Sequence, residues 1–185
     1  VWKFFLLVAG GAAIQNSACT QCHPRFRETA ALKAHTHHLD TSSGSQCYNC
    51  HMPHTSYALF KAIRSHQVDS PHVKPTGPDS RPNACNLCHL DRTLEWTSRH
   101  LADWYAQPRI ELAGPDRDIS AGLHWLLAGD AAQRVIAAWH FGWEPAREAS
   151  GTDWMAPRLT YSLEDPYSAV RWIGWQSLKT LPDMP

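Results

Sequence analysis

Apolar and polar residues are distributed differently along three parts of the chain. Residues 1–14 read VWKFFLLVAGGAAI and are apolar except for one lysine. This run is shorter than the roughly 18 residues that a membrane span needs. Residues 15–107 have few aliphatic side chains, whereas residues 108–185 carry apolar positions at helical spacing. The pattern predicts a signal-like or anchoring segment at 1–14, a loop-rich domain at 15–107 and a helical domain at 108–185.

Helices are predicted from periodicity and capping residues. Leu94, Thr97, Leu101 and Trp104 share one helical face, so we expect a helix over 94–105. Asp130 is a predicted N-cap for a helix over 131–143. Further helical segments are predicted over 25–38, 57–65, 119–128, 152–163 and, behind an Asp165 cap with Pro166 at the first helical position, up to residue 181. The pairs Glu144-Pro145 and Ser150-Gly151 are predicted breaks. The expected fold class is mainly α.

The pattern Cys-x-x-Cys-His occurs three times and uses all six cysteines of the chain. In c-type haem attachment, two thiols add across the haem vinyl groups and the adjacent histidine binds the iron. The sequence therefore predicts three covalently bound haem c groups. Their attachment sites are Cys19, Cys22 and His23; Cys47, Cys50 and His51; and Cys85, Cys88 and His89.

Zinc and disulfide bonds are the alternative uses of these cysteines. A tetrahedral zinc site usually takes two Cys-x-x-Cys pairs, so three pairs would leave one over. Disulfides within Cys-x-x-Cys pairs are usually redox-active rather than structural. Neither alternative explains why a histidine directly follows every pair.

Each haem iron also needs a sixth ligand or an open coordination position. Three of the twelve histidines lie in the motifs, which leaves nine, whereas the chain has only three methionines. Met52 is poorly placed to reach the iron of its own motif, and Met155 and Met184 are remote. Ligation by two histidines is therefore expected, which predicts low-spin, low-potential haems. The favoured distal ligands are His35, His37, His38 and His66; the other candidates are His54, His72, His100, His124 and His140.

The net charge of the chain and its expected cellular compartment limit which partners it can bind. Lys plus Arg and Asp plus Glu both number 17, so the chain lacks the basic surface that nucleic-acid binding requires. Covalent haem is attached outside the cytoplasm, which predicts a periplasmic or extracellular protein. Residues 1–14 offer a possible membrane anchor. The expected partner is a redox protein or other subunits of a multihaem assembly.

Several motifs resemble one family, the multihaem cytochromes related to pentahaem cytochrome c nitrite reductase. They are HTHH, CYNCHMP, RSHQVDSP and NACNLCHLD, and the resemblance covers residues 17 to about 107. It implies distal ligation by the histidine upstream of the CHMP motif, His37 or His38, and by His66 of the SHxxxSP element. The nitrite reductases also hold a haem through Cys-x-x-Cys-Lys with an open iron face, and this sequence contains no such motif.

The C-terminal region resembles a HEAT-type helical repeat in its order of helix, Asp-Pro turn and Val170-Arg171. The expected function is electron transfer through three closely spaced haems, mostly with two histidine ligands. No catalytic residue is assigned. Two alternatives remain open: a reductase of nitrogen or sulfur oxyanions with one open haem, and a structural subunit of a haem filament or respiratory complex.

Overall fold

The computed structural model describes residues 16–57, 61–77 and 80–182, and the apolar segment predicted at 1–14 lies outside them. The protein is mainly helical, with 57% helix and 4% strand, which confirms the mainly α fold class. The α-helices are α1 (Ser17–Thr20), α2 (Thr29–Thr36), α3 (Cys47–His51), α4 (Ala84–Cys88), α5 (Leu94–Tyr105), α6 (Pro115–Asp118), α7 (Ala121–Ala128), α8 (Ala131–Phe141), α9 (Glu144–Ser150), α10 (Met155–Leu159) and α11 (Ser168–Leu178). Short 3-10 helices span Pro24–Arg27, Ser43–Ser45 and Thr160–Glu164.

Helix α8 lies at the centre of the C-terminal half, where it packs against α7 and α11. Asp130 is its N-cap, as predicted, although the helix ends at Phe141 and not at residue 143; the N-terminus also carries a complete capping box. The Asp130 carboxylate accepts the Gln133 amide N–H at 2.9 Å, and the Gln133 side chain accepts the Asp130 N–H at 3.0 Å. These two bonds satisfy donors that would otherwise lack partners at the start of the helix.

The apolar core belongs mostly to the second half of the chain. It runs as one cluster from Val73 to Leu181 and joins Leu90 and Leu94 to Trp125 and Phe141. Within residues 16–56 and 61–72, Met52 is the only buried apolar side chain. The other side chains that are buried in these two stretches are polar: Thr20, Ser45 and Asn49. This first part of the chain is therefore held by hydrogen bonds and by contacts with the rest of the protein, because it buries little apolar surface of its own.

A two-stranded antiparallel hairpin replaces the helical segment predicted over 57–65. Strand β1 (His54–Tyr57) pairs with β2 (Lys61–Arg64), with His54 opposite Arg64 and Thr55 opposite Ile63. The helical prediction was wrong because tertiary contacts override helix propensity here. As the last residue of β2, Arg64 reaches the carbonyl groups at the end of α3.

Helix boundaries agree with the sequence where a cap or a long apolar stripe defines them. Helix α5 spans Leu94–Tyr105, as predicted. The predicted break at Glu144-Pro145 was wrong: these residues begin α9, and a proline fits the first turn of a helix because its missing N–H has no partner there anyway. The predicted helix start directly behind Asp165 was also wrong, because α11 begins at Ser168 with Tyr167 as its N-cap. The Asp165 carboxylate still accepts the Tyr167 amide N–H at 2.8 Å, and it also pairs with Arg134 at 2.6 Å.

Candidate functional site

The three cysteine motifs lie on or beside short helices. Helix α3 contains the whole second motif, α4 contains both cysteines of the third, and α1 contains Cys19 of the first. On an α-helix, side chains three positions apart lie on the same face. The two thiols of each helical motif therefore face the same way, as two bonds to one planar group require.

Two asparagines fix the starts of the second and third motifs. The Cys47 amide N–H donates to Asn16 Oδ1 at 2.9 Å, and the Cys85 amide N–H donates to Asn83 Oδ1 at 2.8 Å. Asn83 is the N-cap of α4, a position that favours asparagine. The role of Asn83 was visible in the sequence Asn-Ala-Cys, whereas Asn16 acts across 31 residues and left no local signal.

The thiols of successive motifs are neighbours. Burial, together with the adjacent Cys19 thiol, raises the pKa of Cys47 to about 11. Burial and then the Cys50 thiol raise the pKa values of Cys85 and Cys88 to about 12. The second motif therefore stands between the other two, with one thiol beside the first motif and the other beside the third.

Two motif histidines face a second histidine. The ring centres of His35 and His51 are 6.2 Å apart with planes 2° from parallel, and those of His38 and His89 are 6.0 Å apart with planes 28° from parallel. A metal–nitrogen bond of about 2 Å on each side of one ion, plus about 1 Å from each nitrogen to its ring centre, gives about 6 Å between ring centres. Both pairs therefore have the separation of two imidazoles that share one metal ion.

Hydrogen bonds orient one ring of each pair. His51 Nδ1 lies 2.7 Å from the Asp69 carbonyl oxygen, and His38 Nδ1 lies 2.6 Å from the Thr36 carbonyl oxygen. A bond from Nδ1–H to a carbonyl leaves Nε2 as the bare nitrogen, which is the usual arrangement of a metal-binding histidine. Burial lowers the pKa values of His35 and His89, so both rings favour the neutral form that binds metals.

The remaining predicted ligands lie elsewhere. His23 is exposed and its ring neighbour is Phe26, at 6.5 Å between centres. His37 is the C-cap of α2 in a left-handed conformation, and its ring stacks on Trp104 at 4.2 Å. His66 lies in the exposed bend after β2. The structure thus brings His35 and His38 to motif histidines, and the ligand role of His66 stays a prediction.

A cavity of about 500 Å³ opens beside the third motif. Its wall includes Cys85, Cys88 and the His38–His89 pair, together with aromatic side chains of α5. The volume lies within the range of cofactor pockets. A haem iron takes only one or two ligands from protein because the porphyrin supplies four. Two cysteines, two facing imidazoles and an aromatic wall around one cavity therefore fit a haem c.

The aromatic wall was not predicted as a unit. Trp96, His100 and Trp104 follow one another every four residues along α5, with ring centres 4.4 and 4.6 Å apart. Trp96 also contacts the His89 ring at 5.1 Å. This row connects the third motif with the surface, where Trp104 is exposed. The four-residue spacing of these aromatic side chains was the signal in the sequence. It overlaps the predicted stripe of Leu94, Thr97, Leu101 and Trp104, from which only the helix itself was inferred.

A second group of polar side chains is enclosed next to the hairpin. His140 is fully buried, its Nδ1 lies 2.8 Å from the Ile136 carbonyl oxygen, and its Nε2 has no hydrogen-bond partner among the described residues. Burial lowers the pKa of His140 to about 3 and that of neighbouring His54 to about 2. The His140 ring packs against His54, Trp139 and Trp143, away from the motif histidines.

A second cavity, of about 470 Å³, has His54 in its wall and lies between the hairpin, loop residues within 69–74 and 80–83, and α8. Within residues 16–57, 61–77 and 80–182, no three His, Cys, Asp or Glu side chains are arranged to hold a bare metal ion. The helices of that same part of the chain are all too short or too polar to span a bilayer.

Comparison with protein families, curated proteins and solved structures finds no match for this chain.

Proposed function

We propose that the protein is an electron-transfer module with three covalently bound haem c groups, related to the multihaem cytochromes that its motifs resemble. The observation that carries this proposal is the pairing of two motif histidines with His35 and His38 at separations of 6.2 and 6.0 Å. When bound, haem supplies a one-electron oxidation and reduction. The protein chain supplies the thiols that attach the haems, the axial ligands of the irons and the spacing between the haems.

The arrangement of thiols supports transfer between neighbouring haems. Cys47 lies beside Cys19, and Cys50 lines the same cavity as Cys85 and Cys88, so the second motif has a thiol near each of the other two motifs. The haems held there would follow in the order of the motifs along the chain. The second haem is therefore the middle step of the proposed path.

The C-terminal helices are the proposed platform for a partner. In α11, Trp172 and Trp175 are 52% and 45% exposed, and Tyr167 just before the helix is 58% exposed. Exposed tryptophans and tyrosines are enriched where proteins bind one another.

The same proposal includes three further parts. They are the HEAT-like interpretation of these helices, the periplasmic or extracellular location of the protein and a membrane anchor at 1–14.

Replacing single histidines of the HTHH segment tests the proposed ligands. His38→Ala should convert one of the three haems to high spin, because it removes the imidazole that faces His89. His37→Ala is the matched neighbouring control and should leave the spin state unchanged, since its ring stacks on Trp104 instead. Magnetic circular dichroism or electron paramagnetic resonance measures both. Three low-spin haems in His38→Ala would refute the assignment.

A further inference from the structure

Arg64 binds the helix of the second motif through three oxygen atoms and an aromatic ring. Its Nη1 donates to the Tyr48 and Met52 carbonyl oxygens at 3.3 and 3.4 Å, and its Nη2 donates to Asn49 Oδ1. The guanidinium carbon also lies 4.6 Å from the centre of the Tyr48 ring. Arg64 therefore closes the C-terminal end of α3, the helix that carries the second motif.

A second aromatic ring, that of Trp143, has its centre 5.5 Å from the guanidinium carbon. In the described part of the chain, none of the ion pairs between side chains involves Arg64. Its neighbours are carbonyl oxygens, an amide oxygen and aromatic rings, which bind a cation without cancelling its net charge. Arginine is also the side chain that best keeps its charge when water is excluded.

Arg64 also borders the third motif through the residue to which it donates. Asn49, which accepts from Nη2, lies in the wall of the cavity of about 500 Å³ together with Cys50, Cys85 and Cys88. Helix α3 packs directly against α4, the helix that contains both cysteines of the third motif. The positive charge thus lies at the junction between the second and third motifs.

We propose that Arg64 is a fixed positive charge between the second and third haem sites that raises the reduction potentials of both haems. This inference rests on the proposed function. Reduction adds one negative charge to a haem, and a nearby positive charge favours that state. The effect falls with distance, so the first haem, attached at Cys19 and Cys22, is affected least. The two haems whose reduction potentials should change are therefore those attached by the second and third motifs.

Potentiometric titration of four variants tests the inference, after mass measurement has shown three haems in each. Arg64→Gln removes the charge. Asn49→Asp keeps Arg64 and places a carboxylate at the atom that Arg64 already contacts. Both should lower the midpoint potentials of two haems and leave the third nearly unchanged. Arg64→Lys retains the charge, and Arg117→Gln removes an exposed charge that is paired with Asp118, so both should stay close to the wild-type potentials.

The outcomes separate the two proposals. Protein without three covalent haems refutes the proposed function itself. Three haems with unchanged potentials in both Arg64→Gln and Asn49→Asp refute the role of Arg64 alone. Equal shifts of all three haems, or an Arg64→Lys shift as large as that of Arg64→Gln, also overturn it, because the cause would then be altered packing. If Arg64→Gln does not fold, the isosteric Asn49→Asp decides the question.

Discussion

The buried imidazole of His140 should make the stability of the protein depend on pH. Its pKa is about 3 in the folded protein and about 6.5 in the unfolded chain. A lowered folded pKa means that the unfolded state binds the proton more readily. The stability contributed by the neutral ring is therefore fully present above pH 6.5 and is lost as pH falls from 6.5 towards 3. Between pH 7 and pH 5 the unfolding free energy should fall by about 2 kcal/mol through this one group.

His140→Phe removes the titrating group and keeps a ring in the site. The free energy of unfolding, measured by urea denaturation and far-ultraviolet circular dichroism, should lose about 2 kcal/mol less between pH 7 and pH 5 than in the wild type. Any change in packing cancels in this difference. Phe141→Leu is a matched control, because this neighbouring buried ring does not titrate and its loss should destabilise the protein equally at both pH values. An identical pH dependence in His140→Phe and wild type would refute the reasoning.

Two other substitutions test the positions of particular side chains. In Gly44→Ala, the new methyl group would lie 2.2 Å from His38 Cδ2, so the ring must move and one haem should become partly high spin by optical spectroscopy. Gly77→Ala meets no atom within 4 Å and should retain the wild-type spectrum; a shared spectrum for both variants would contradict the contact. Asp130→Ala should lower the unfolding free energy by about 1 kcal/mol in urea titration, whereas Asp130→Asn should recover most of it, and equal losses would argue against the cap.

The sequence predicted those features that short-range patterns determine. The spacing within each cysteine motif, the apolar stripe of α5 and the Asp130 cap all act over a few residues, and their positions could be given by number. The HTHH segment, residues 35–38, has a conformation that short-range patterns did not predict. His37 adopts a left-handed conformation with a φ of 57°, which ends α2 inside the cluster. The chain changes direction there, so His35 and His38 face different partners although three positions separate them.

Long-range contacts account for the features that the sequence could not predict. The hairpin places Arg64 against the end of α3, 12 to 16 residues earlier in the chain. Asn16 binds the Cys47 amide across 31 residues. A single arginine or asparagine carries no periodicity, and its partner is decided only when distant segments pack together. Helix α9 was missed for a different reason, because a proline that is tolerated in a first turn was interpreted as a break.

Covalent attachment of haem is the central claim, and the mass of the denatured protein tests it most directly. After production with the c-type haem attachment machinery, the protein should be denatured, treated with a thiol-alkylating reagent and weighed. The chain should keep three haems and have no alkylated cysteine, because all six thiols would be thioethers. A chain that releases its haem on denaturation, or whose cysteines are alkylated, would contradict it.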